Sequence, residues 1–195
     1  MRPTAAEASV TGLVLAAGAG TRFGQPKGLT RTAAGESWVA IAVRMLRAAG
    51  CDRILVAVGA AGDEVAALVP REAEVVPVAD WADGLSASLR AGLIAVSGAD
   101  ASGADAVVVI TVDTPDLPAA AVRRVLAVAG PLPHALVQAV YGGRPGHPVV
   151  LGRTRIAAVA ASVRGDRGAG TYLAEHGAQR VECGDLWSGE DIDSR

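Results

Sequence analysis

A glycine-rich segment followed by two basic side chains is the part of the chain best suited to chemistry. It comes directly after an apolar run at residues 13–17, which is typical of a buried parallel strand. Glycines permit a tight turn and leave backbone amides open to a ligand, and successive amides of this kind bind anions. Arg22 and Lys27 add positive charge. The segment therefore predicts a polyphosphate site. Its glycines are Gly18, Gly20 and Gly24.

The spacing separates this segment from two common phosphate-binding loops. In the dinucleotide fingerprint Gly-x-Gly-x-x-Gly, the third glycine would come one residue earlier than Gly24, and Pro26 interrupts any helix that starts at Gly20. A P-loop needs Gly directly before its lysine and Ser or Thr directly after it, whereas Pro26 and Gly28 flank Lys27. A dinucleotide-dependent oxidoreductase stays open as an alternative function.

Three aspartates are candidates for holding a metal ion. Asp113 directly follows the most apolar predicted strand, 106–112, where a carboxylate is well placed to hold Mg²⁺ against nucleotide phosphates. Asp191 and Asp193 alternate in the C-terminal segment and lie on one face if it is extended. Either would supply a second ligand. The alternatives are an Asx-type turn at Asp113 and a solvated acidic tail.

Further polar residues follow other predicted strands and are candidates for binding the substrates. Ser86 and Ser88 stand at the start of a predicted helix, where they either cap the helix or meet the nucleotide. Arg144 and His147 occupy a predicted tight loop between two strands and suit an anionic acceptor. Asp166, in a second glycine-rich loop, is assigned to the acceptor side as well.

Strand and helix patterns alternate along the chain. Apolar residues at i, i+3, i+4 and i+7 from Val39 to Leu46 predict a helix that Ser37 caps and Gly50 ends. The alternation predicts a mostly parallel sheet with helices on both faces and ligands beyond the carboxyl ends of its strands. Trp81 is expected to pack rather than stack on a ligand. The remaining strands are predicted at 11–17, 53–58, 74–78, 134–140, 148–151 and 179–183, and the remaining helices at 62–69, 86–96, 118–128, 153–163 and 170–176.

Bulk composition favours one enzyme domain at residues 1–195 with a flexible N-terminus at 1–10. Hydrophobic residues make up 51% of the chain and aromatic residues only 3%, so the core must consist of Ala, Val and Leu. The net charge of -2 provides no basic field for nucleic acid. No apolar run reaches membrane-spanning length, no signal peptide is present, and the two cysteines lack metal-ligand spacing. These features indicate a cytoplasmic protein.

The glycine-rich segment resembles the loop of sugar-nucleotide and cofactor nucleotidyltransferases at every fixed position from Leu15 to Leu29. Taken with the later motifs, the chain is similar to the MobA-like NTP transferase family, and within it to the molybdenum cofactor cytidylyltransferases. The later motifs are Trp81 with Gly84-Leu85-Ser86-Ala87-Ser88-Leu89, Asp113 with Pro115, Gly146-His147-Pro148, Gly165-Asp166-x-Gly168-Ala169 and Asp191-Ile192-Asp193.

This resemblance implies a Rossmann-like three-layer α/β sandwich of the nucleotide-diphospho-sugar transferase type, formed by a single domain. It also implies Mg²⁺-dependent transfer of CMP from CTP to the phosphate of molybdopterin, with release of pyrophosphate and a molybdenum hydroxylase as a potential partner. Lys27, Arg22 and Asp113 would be the catalytic residues. Ala17 favours CTP, because guanylyl relatives carry Gly at the matching position. The nucleotide would contact Leu15, Ala16, Ala17, Gly18, Gly20, Gly24, Ser86 and Ser88.

The chain departs from the family pattern at three places that bear on the acceptor and the metal. Thr114 stands where Gln or Met is usual, Gly170 stands where Arg is usual, and the acidic tail stops at Arg195. The acceptor therefore stays open between molybdopterin, a sugar phosphate and another phosphorylated metabolite. A non-catalytic carrier of molybdenum cofactor is a further alternative.

Overall fold

One seven-stranded sheet forms the middle layer of the protein in a computed structural model that describes residues 8–98 and 104–193. The strands are β1 (Val10–Ala16), β2 (Arg53–Val58), β3 (Glu74–Pro77), β4 (Ala106–Thr111), β5 (Leu136–Tyr141), β6 (Arg144–Gly152) and β7 (Gln179–Glu182). The helices are α1 (Trp38–Ala48), α2 (Gly62–Ala66), α3 (Leu85–Ser97), α4 (Ala119–Ala127), α5 (Arg153–Ser162) and α6 (Gly170–Glu175).

The strand order is β3-β2-β1-β4-β6-β5-β7, and every neighbouring pair is parallel except those made by β6. The predicted mostly parallel sheet is therefore confirmed. The chain leaves β1 toward β2 and β3 and then returns to the other side of β1 as β4. This reversal of direction opens a crevice between the carboxyl ends of β1 and β4, which is where open α/β sheets bind ligands.

Helices cover both faces of the sheet, and each face has its own core. Val14 and its even-numbered neighbours in β1 pack with α1 and α4. Leu13 and Leu15 point the other way and pack with α3, α5 and α6. All seven residues of β1 are buried, which explains the continuous apolar run in the sequence. The three-layer sandwich is the architecture that the family resemblance implies.

The first helix forms as its pattern predicts. Val39, Val43 and Leu46 are fully buried, and the Ser37 hydroxyl accepts a hydrogen bond from the amide of Ala40 at 3.1 Å. Gly50 follows with φ of 99°, a left-handed conformation that favours glycine at the end of a helix.

The predicted loop around Arg144 and His147 is wrong, because both residues belong to β6. The turn consists of Gly142 and Gly143 alone, with φ of 58° and 80°. Two residues in the left-handed conformation are typical of two-residue β-hairpin turns. Prolines on either side of His147 made this part of the sequence look like a loop. Strand β5 also begins two residues later than predicted, after a 3-10 turn at Leu132–His134.

Two predictions concern segments that are partly outside the described residues. The flexible N-terminus was placed at 1–10, of which 1–7 are not described, and β1 begins at Val10. The sequence from 97 to 105 is small, polar and Gly-rich, which predicts a surface loop, and residues 99–103 of this segment are not described. Among the described helices, none has the length and apolar character needed to cross a membrane.

Candidate functional site

A cleft of about 600 Å³ opens at the carboxyl ends of β1 and β4. Its walls come from the glycine-rich loop after β1, the aspartate after β4, the start of α3, the loop before α6 and the C-terminal tail. Most of the residues assigned to the site from sequence line this cleft. They are Leu15, Ala16, Ala17, Gly18, Gly20, Arg22, Lys27, Ser88, Asp113, Asp166 and Asp193.

The conformation of the glycine-rich loop depends on Gly20. Its φ is 61°, and a Cβ at this position would lie 1.9 Å from the carbonyl oxygen of Gln25. The Gly20 carbonyl accepts hydrogen bonds from the amides of Phe23 and Gly24, each at 2.9 Å. Within the described part of the chain, the amides of residues 18–22 donate to no backbone carbonyl. The loop therefore lines the cleft with amides that have no backbone acceptor among the described residues.

Lys27, the only lysine in the chain, lies in the centre of the charged part of the cleft. Its ammonium donates to Asp113 Oδ2 at 2.8 Å and to Asp193 Oδ1 at 2.6 Å. Desolvation by itself would lower the pKa of Lys27, but the two carboxylates outweigh it and raise that pKa. Hydrogen bonding and charge from Lys27 lower the pKa of Asp193. Residues from the first and last parts of the chain thus form one ionised cluster.

Three carboxylates meet beside Lys27. Asp113, Asp191 and Asp193 each offer one oxygen within 4.8 Å of the others. The tail reaches this position because the amide of Ile192 donates to the Asp113 carbonyl at 3.0 Å, which leaves the two tail aspartates on either side. Asp113 Oδ1 is buried and accepts no hydrogen bond from the described residues. Carboxylate oxygens are the ligands of hard divalent cations, so these residues fit Mg²⁺ or Mn²⁺.

His147 lies behind the carboxylates and outside the cleft lining, although it was assigned to the acceptor. Its Nδ1 is 3.3 Å from the Val109 carbonyl, which can only accept, so Nδ1 carries the proton in this contact. Burial lowers the pKa of His147, although the negative charges of Asp113 and Asp191 act to raise that pKa. The ring is therefore neutral at pH 7. Arg144 is exposed at the start of β6 and does not line the cleft.

The start of α3 contributes to the cleft differently from the prediction. Gly84 is the N-cap and no side chain caps the helix, so the proposed serine cap is wrong. Ser88 lines the cleft, whereas Ser86 is buried and its amide donates to the Gly165 carbonyl at 2.9 Å. Asp166 lies against Gly84, where a Cβ would be 2.4 Å from its Oδ1. The second glycine-rich loop is thus packed onto the start of α3.

Trp81 is a cleft residue that the sequence reasoning assigned to packing alone. It does pack against the core under α3, and it also lines the cleft. Gly59, at the end of β2, is close enough that a Cβ there would be 2.4 Å from Trp81 Cβ. Gly59, which directly follows β2 beside β1, is the sequence feature that could have indicated a close-packed side chain such as Trp81 at the cleft. Gly24, by contrast, turns the loop with φ of 87° and does not line the cleft.

Comparison with known proteins places this geometry in a sequence family. The model of the MobA-like NTP transferase domain matches residues 12–181. A curated relative, "Nicotine blue oxidoreductase" from Paenarthrobacter nicotinovorans, is 33% identical over 196 residues, covering 95% of this chain and 92% of the relative.

Solved structures share the whole fold. Rv0371c from Mycobacterium tuberculosis H37Rv superposes with a TM-score of 0.79 at 26% identity, over 97% of this chain and 95% of that one. A second structure of Rv0371c is a complex with manganese, with a TM-score of 0.69 and 27% identity over 90% of this chain and 88% of that one.

Proposed function

Because the chain belongs to the MobA-like NTP transferase family, we propose that it transfers a nucleoside monophosphate from an NTP to the phosphate group of an acceptor. One observation carries this proposal: the only lysine, the half-buried Asp113 and two tail aspartates meet beside a loop whose amides donate to no backbone carbonyl of the described residues. CTP is the favoured nucleotide and a molybdopterin phosphate the favoured acceptor, as the sequence resemblance implies.

Each group in the cleft has a task in such a reaction. The amides of residues 18–22, with Arg22, hold the β- and γ-phosphates. Lys27 gives up its carboxylate partners and neutralises charge at the α-phosphate and its bridging oxygen. An oxygen of the acceptor phosphate bonds to the α-phosphorus, the bond to the bridging oxygen breaks, and pyrophosphate leaves with the electron pair. No side-chain base is needed, since a phosphate monoester is largely ionised at neutral pH.

Asp113, Asp193 and Asp191 are the residues that would hold Mg²⁺. When bound, the ion supplies Lewis-acid polarisation and a template for the phosphates. The buried, unpartnered Oδ1 of Asp113 supports this assignment, as does the manganese complex of Rv0371c. Neutral His147, close behind the carboxylates, adds no positive charge that would compete with the ion.

The test is pyrophosphate release with Mg²⁺ or Mn²⁺ and each of CTP, GTP, ATP and UTP, with and without molybdopterin. We expect release with CTP only when molybdopterin is present. Release with another nucleotide would change the base and retain the mechanism, and release with a sugar phosphate would change the acceptor. Nucleotide binding without release under any condition would contradict transfer and favour a carrier of the cofactor.

A second candidate function is a redox reaction, favoured by the name of the curated relative. That relative is called an oxidoreductase and covers 95% of this chain. Two features argue against a dinucleotide cofactor. The third loop glycine comes one residue late, and β2 is followed by Gly59, which packs against Trp81, rather than by an acidic residue that could bind a ribose. Reduction of nicotine blue with NADH or NADPH tests this function directly. Reduction that persists in Asp113→Ala would separate it from the metal-dependent transfer.

A further inference from the structure

The C-terminal tail, residues 184–193, carries two of the three carboxylates of the cleft and has neither helix nor strand of its own. Its position therefore depends on contacts with the body of the protein, one of which is the backbone hydrogen bond from Ile192 to the Asp113 carbonyl. At its beginning, Glu182 accepts hydrogen bonds from the amides of Gly142, Gly143 and Gly184. Arg124 pairs with Asp185. These contacts involve the end of β7 and the first residues of the tail, ahead of the part that carries Asp191.

Tyr141, at the end of β5, contacts the tail just before the aspartates, in addition to the Lys27 contact with Asp193 and the Ile192 amide on the Asp113 carbonyl. Its ring lies edge to face with Trp187, with centroids 5.2 Å apart and planes at 85°. Gly189 packs its backbone directly on the ring: a Cβ there would lie 2.3 Å from Tyr141 Cγ. The φ of Gly189 is 78°, so this close approach needs glycine for its conformation as well as for its size.

The same tyrosine also contacts the strand behind the carboxylates. Its hydroxyl donates to the His147 carbonyl at 2.6 Å, and the imidazole of His147 in turn contacts the Val109 carbonyl of β4. Asp113 follows β4 by two residues. Tyr141 thus contacts the tail that carries Asp191 and Asp193 on one side. On the other side it contacts β6, which pairs with β4, the strand that precedes Asp113.

We propose that Tyr141 is a positioning residue that sets Asp191 and Asp193 opposite Asp113, and so sets the affinity of the cleft for a divalent cation. The inference rests on the proposed function in taking these carboxylates as the cation ligands. Tyr141 itself does not line the cleft. It acts through the backbone of Gly189 and the ring of Trp187. Loss of outer contacts of this kind typically lowers metal affinity by about 10- to 100-fold.

The NMR resonance of the Lys27 side chain reports the position of the tail, and measuring it requires no cation, nucleotide or acceptor. Because it is the only lysine, selective labelling with ε-¹³C lysine gives one ε-CH₂ resonance from the folded chain. Its ammonium contacts Asp193 at 2.6 Å, so the resonance reports whether Asp193 is in place. Asp193→Asn defines the resonance position when that contact is lost.

The experiment compares Tyr141→Leu with Tyr172→Leu. Both tyrosines are buried, but Tyr172 packs in the other core and stacks on His176, away from the tail. We expect Tyr141→Leu to move the Lys27 resonance to its position in Asp193→Asn and to weaken Mn²⁺ binding by about 10- to 100-fold. Tyr172→Leu should destabilise the fold while changing neither readout. Tyr141→Phe, which retains the ring, should restore the resonance.

A second variant keeps the test decisive if Tyr141→Leu does not fold. Gly189→Ala changes only the tail and forces a Cβ into the ring of Tyr141, so it should move the Lys27 resonance in the same way. A Lys27 resonance at the wild-type position in every folded variant at Tyr141 and Gly189, or an equal shift in Tyr172→Leu, would overturn the inference. Failure of the wild type to bind Mn²⁺ would refute the cation site of the proposed function, and with it the link to affinity.

Discussion

Replacing Lys27 with Met should change metal binding and catalysis in opposite directions. The Lys27 ammonium occupies the space between Asp113 and Asp193, at 2.8 and 2.6 Å from their carboxylate oxygens. A divalent cation that uses these carboxylates must displace it. Methionine has a similar length and no charge, so Lys27→Met should bind Mn²⁺ more tightly. The same variant should lose turnover, because no charge remains to stabilise the reacting phosphate.

The size of the gain follows from the exposure of the two partners. A hydrogen bond to a charged group contributes about 1.5–3 kcal/mol, and the bond to Asp113 joins two side chains that are each only 16% exposed. Asp193 is 65% exposed, so its pair adds about 0–1 kcal/mol. The cation therefore has to overcome about 2–4 kcal/mol. We expect Mn²⁺ affinity to rise by roughly 30-fold or more, and turnover to fall by at least about 100-fold.

The assay is a Mn²⁺ titration followed by electron paramagnetic resonance of the free ion, with pyrophosphate release measured on the same preparations. Arg31→Met is the matched control, because it removes a positive charge whose side-chain hydrogen bond within the described residues goes to the Gly35 carbonyl, outside the cleft. Unchanged or weaker Mn²⁺ binding in Lys27→Met would refute the reasoning that Lys27 competes with the cation. Near-normal turnover would refute its assignment to the reacting phosphate.

The remaining predictions concern Gly20 in the glycine-rich loop, the half-buried Asp113 and the pH dependence of the pair between Asp193 and Lys27. Gly20→Ala should weaken CTP binding by roughly 10- to 100-fold in calorimetry, because it places strain of about 1–3 kcal/mol on the loop proposed to bind phosphate. Gly35 has a similar φ of 84° but lies outside the cleft, so Gly35→Ala should bind CTP normally. Asp113→Ala should lower pyrophosphate release by at least about 100-fold and abolish its response to Mg²⁺, while circular dichroism shows an intact fold. The lowered pKa of Asp193 means that its pair with Lys27 contributes stability above pH 3.8, the ordinary aspartate value, and loses it as pH falls through the lowered pKa. The Lys27 ε-CH₂ resonance should therefore stay constant from pH 7 to pH 4 and move only in stronger acid, and movement near pH 6 would contradict this assignment.

The sheet was largely predictable because its strands are buried on both faces. Continuous apolar runs such as those of β1 and β4 have no other common explanation at this length, and the helix between Val39 and Leu46 has a clear period. The hairpin of β5 and β6 was not predictable to the same degree. Proline is depleted in strands, yet β6 contains Pro145 and Pro148. Tertiary pairing with two neighbouring strands overrides that local signal.

The candidate site divides in a similar way. The loop and Asp113 could be placed because each directly follows a strand whose direction is known. The tail could not, because no periodic pattern says where an extended segment runs. Its path depends on a glycine lying flat on a tyrosine ring and on the amide of Ile192, and neither contact has a pattern in the sequence. The sequence offered either Asp191 or Asp193 as a second metal ligand beside Asp113, and the structure brings both to Asp113.

The surroundings of Ala17 bear on how residue 17 would affect the choice of nucleotide base. The sequence comparison associates Ala or Gly at this position with the choice of base. In the structure Ala17 is only 1% exposed, and a Cβ placed on Gly59 would lie 2.9 Å from the Ala17 methyl group and 2.4 Å from Trp81 Cβ. The methyl group therefore faces the wall formed by Gly59 and Trp81. Because Ala17 and Trp81 both line the cleft, a change at residue 17 would alter the cleft at its own position and at the wall that Trp81 forms.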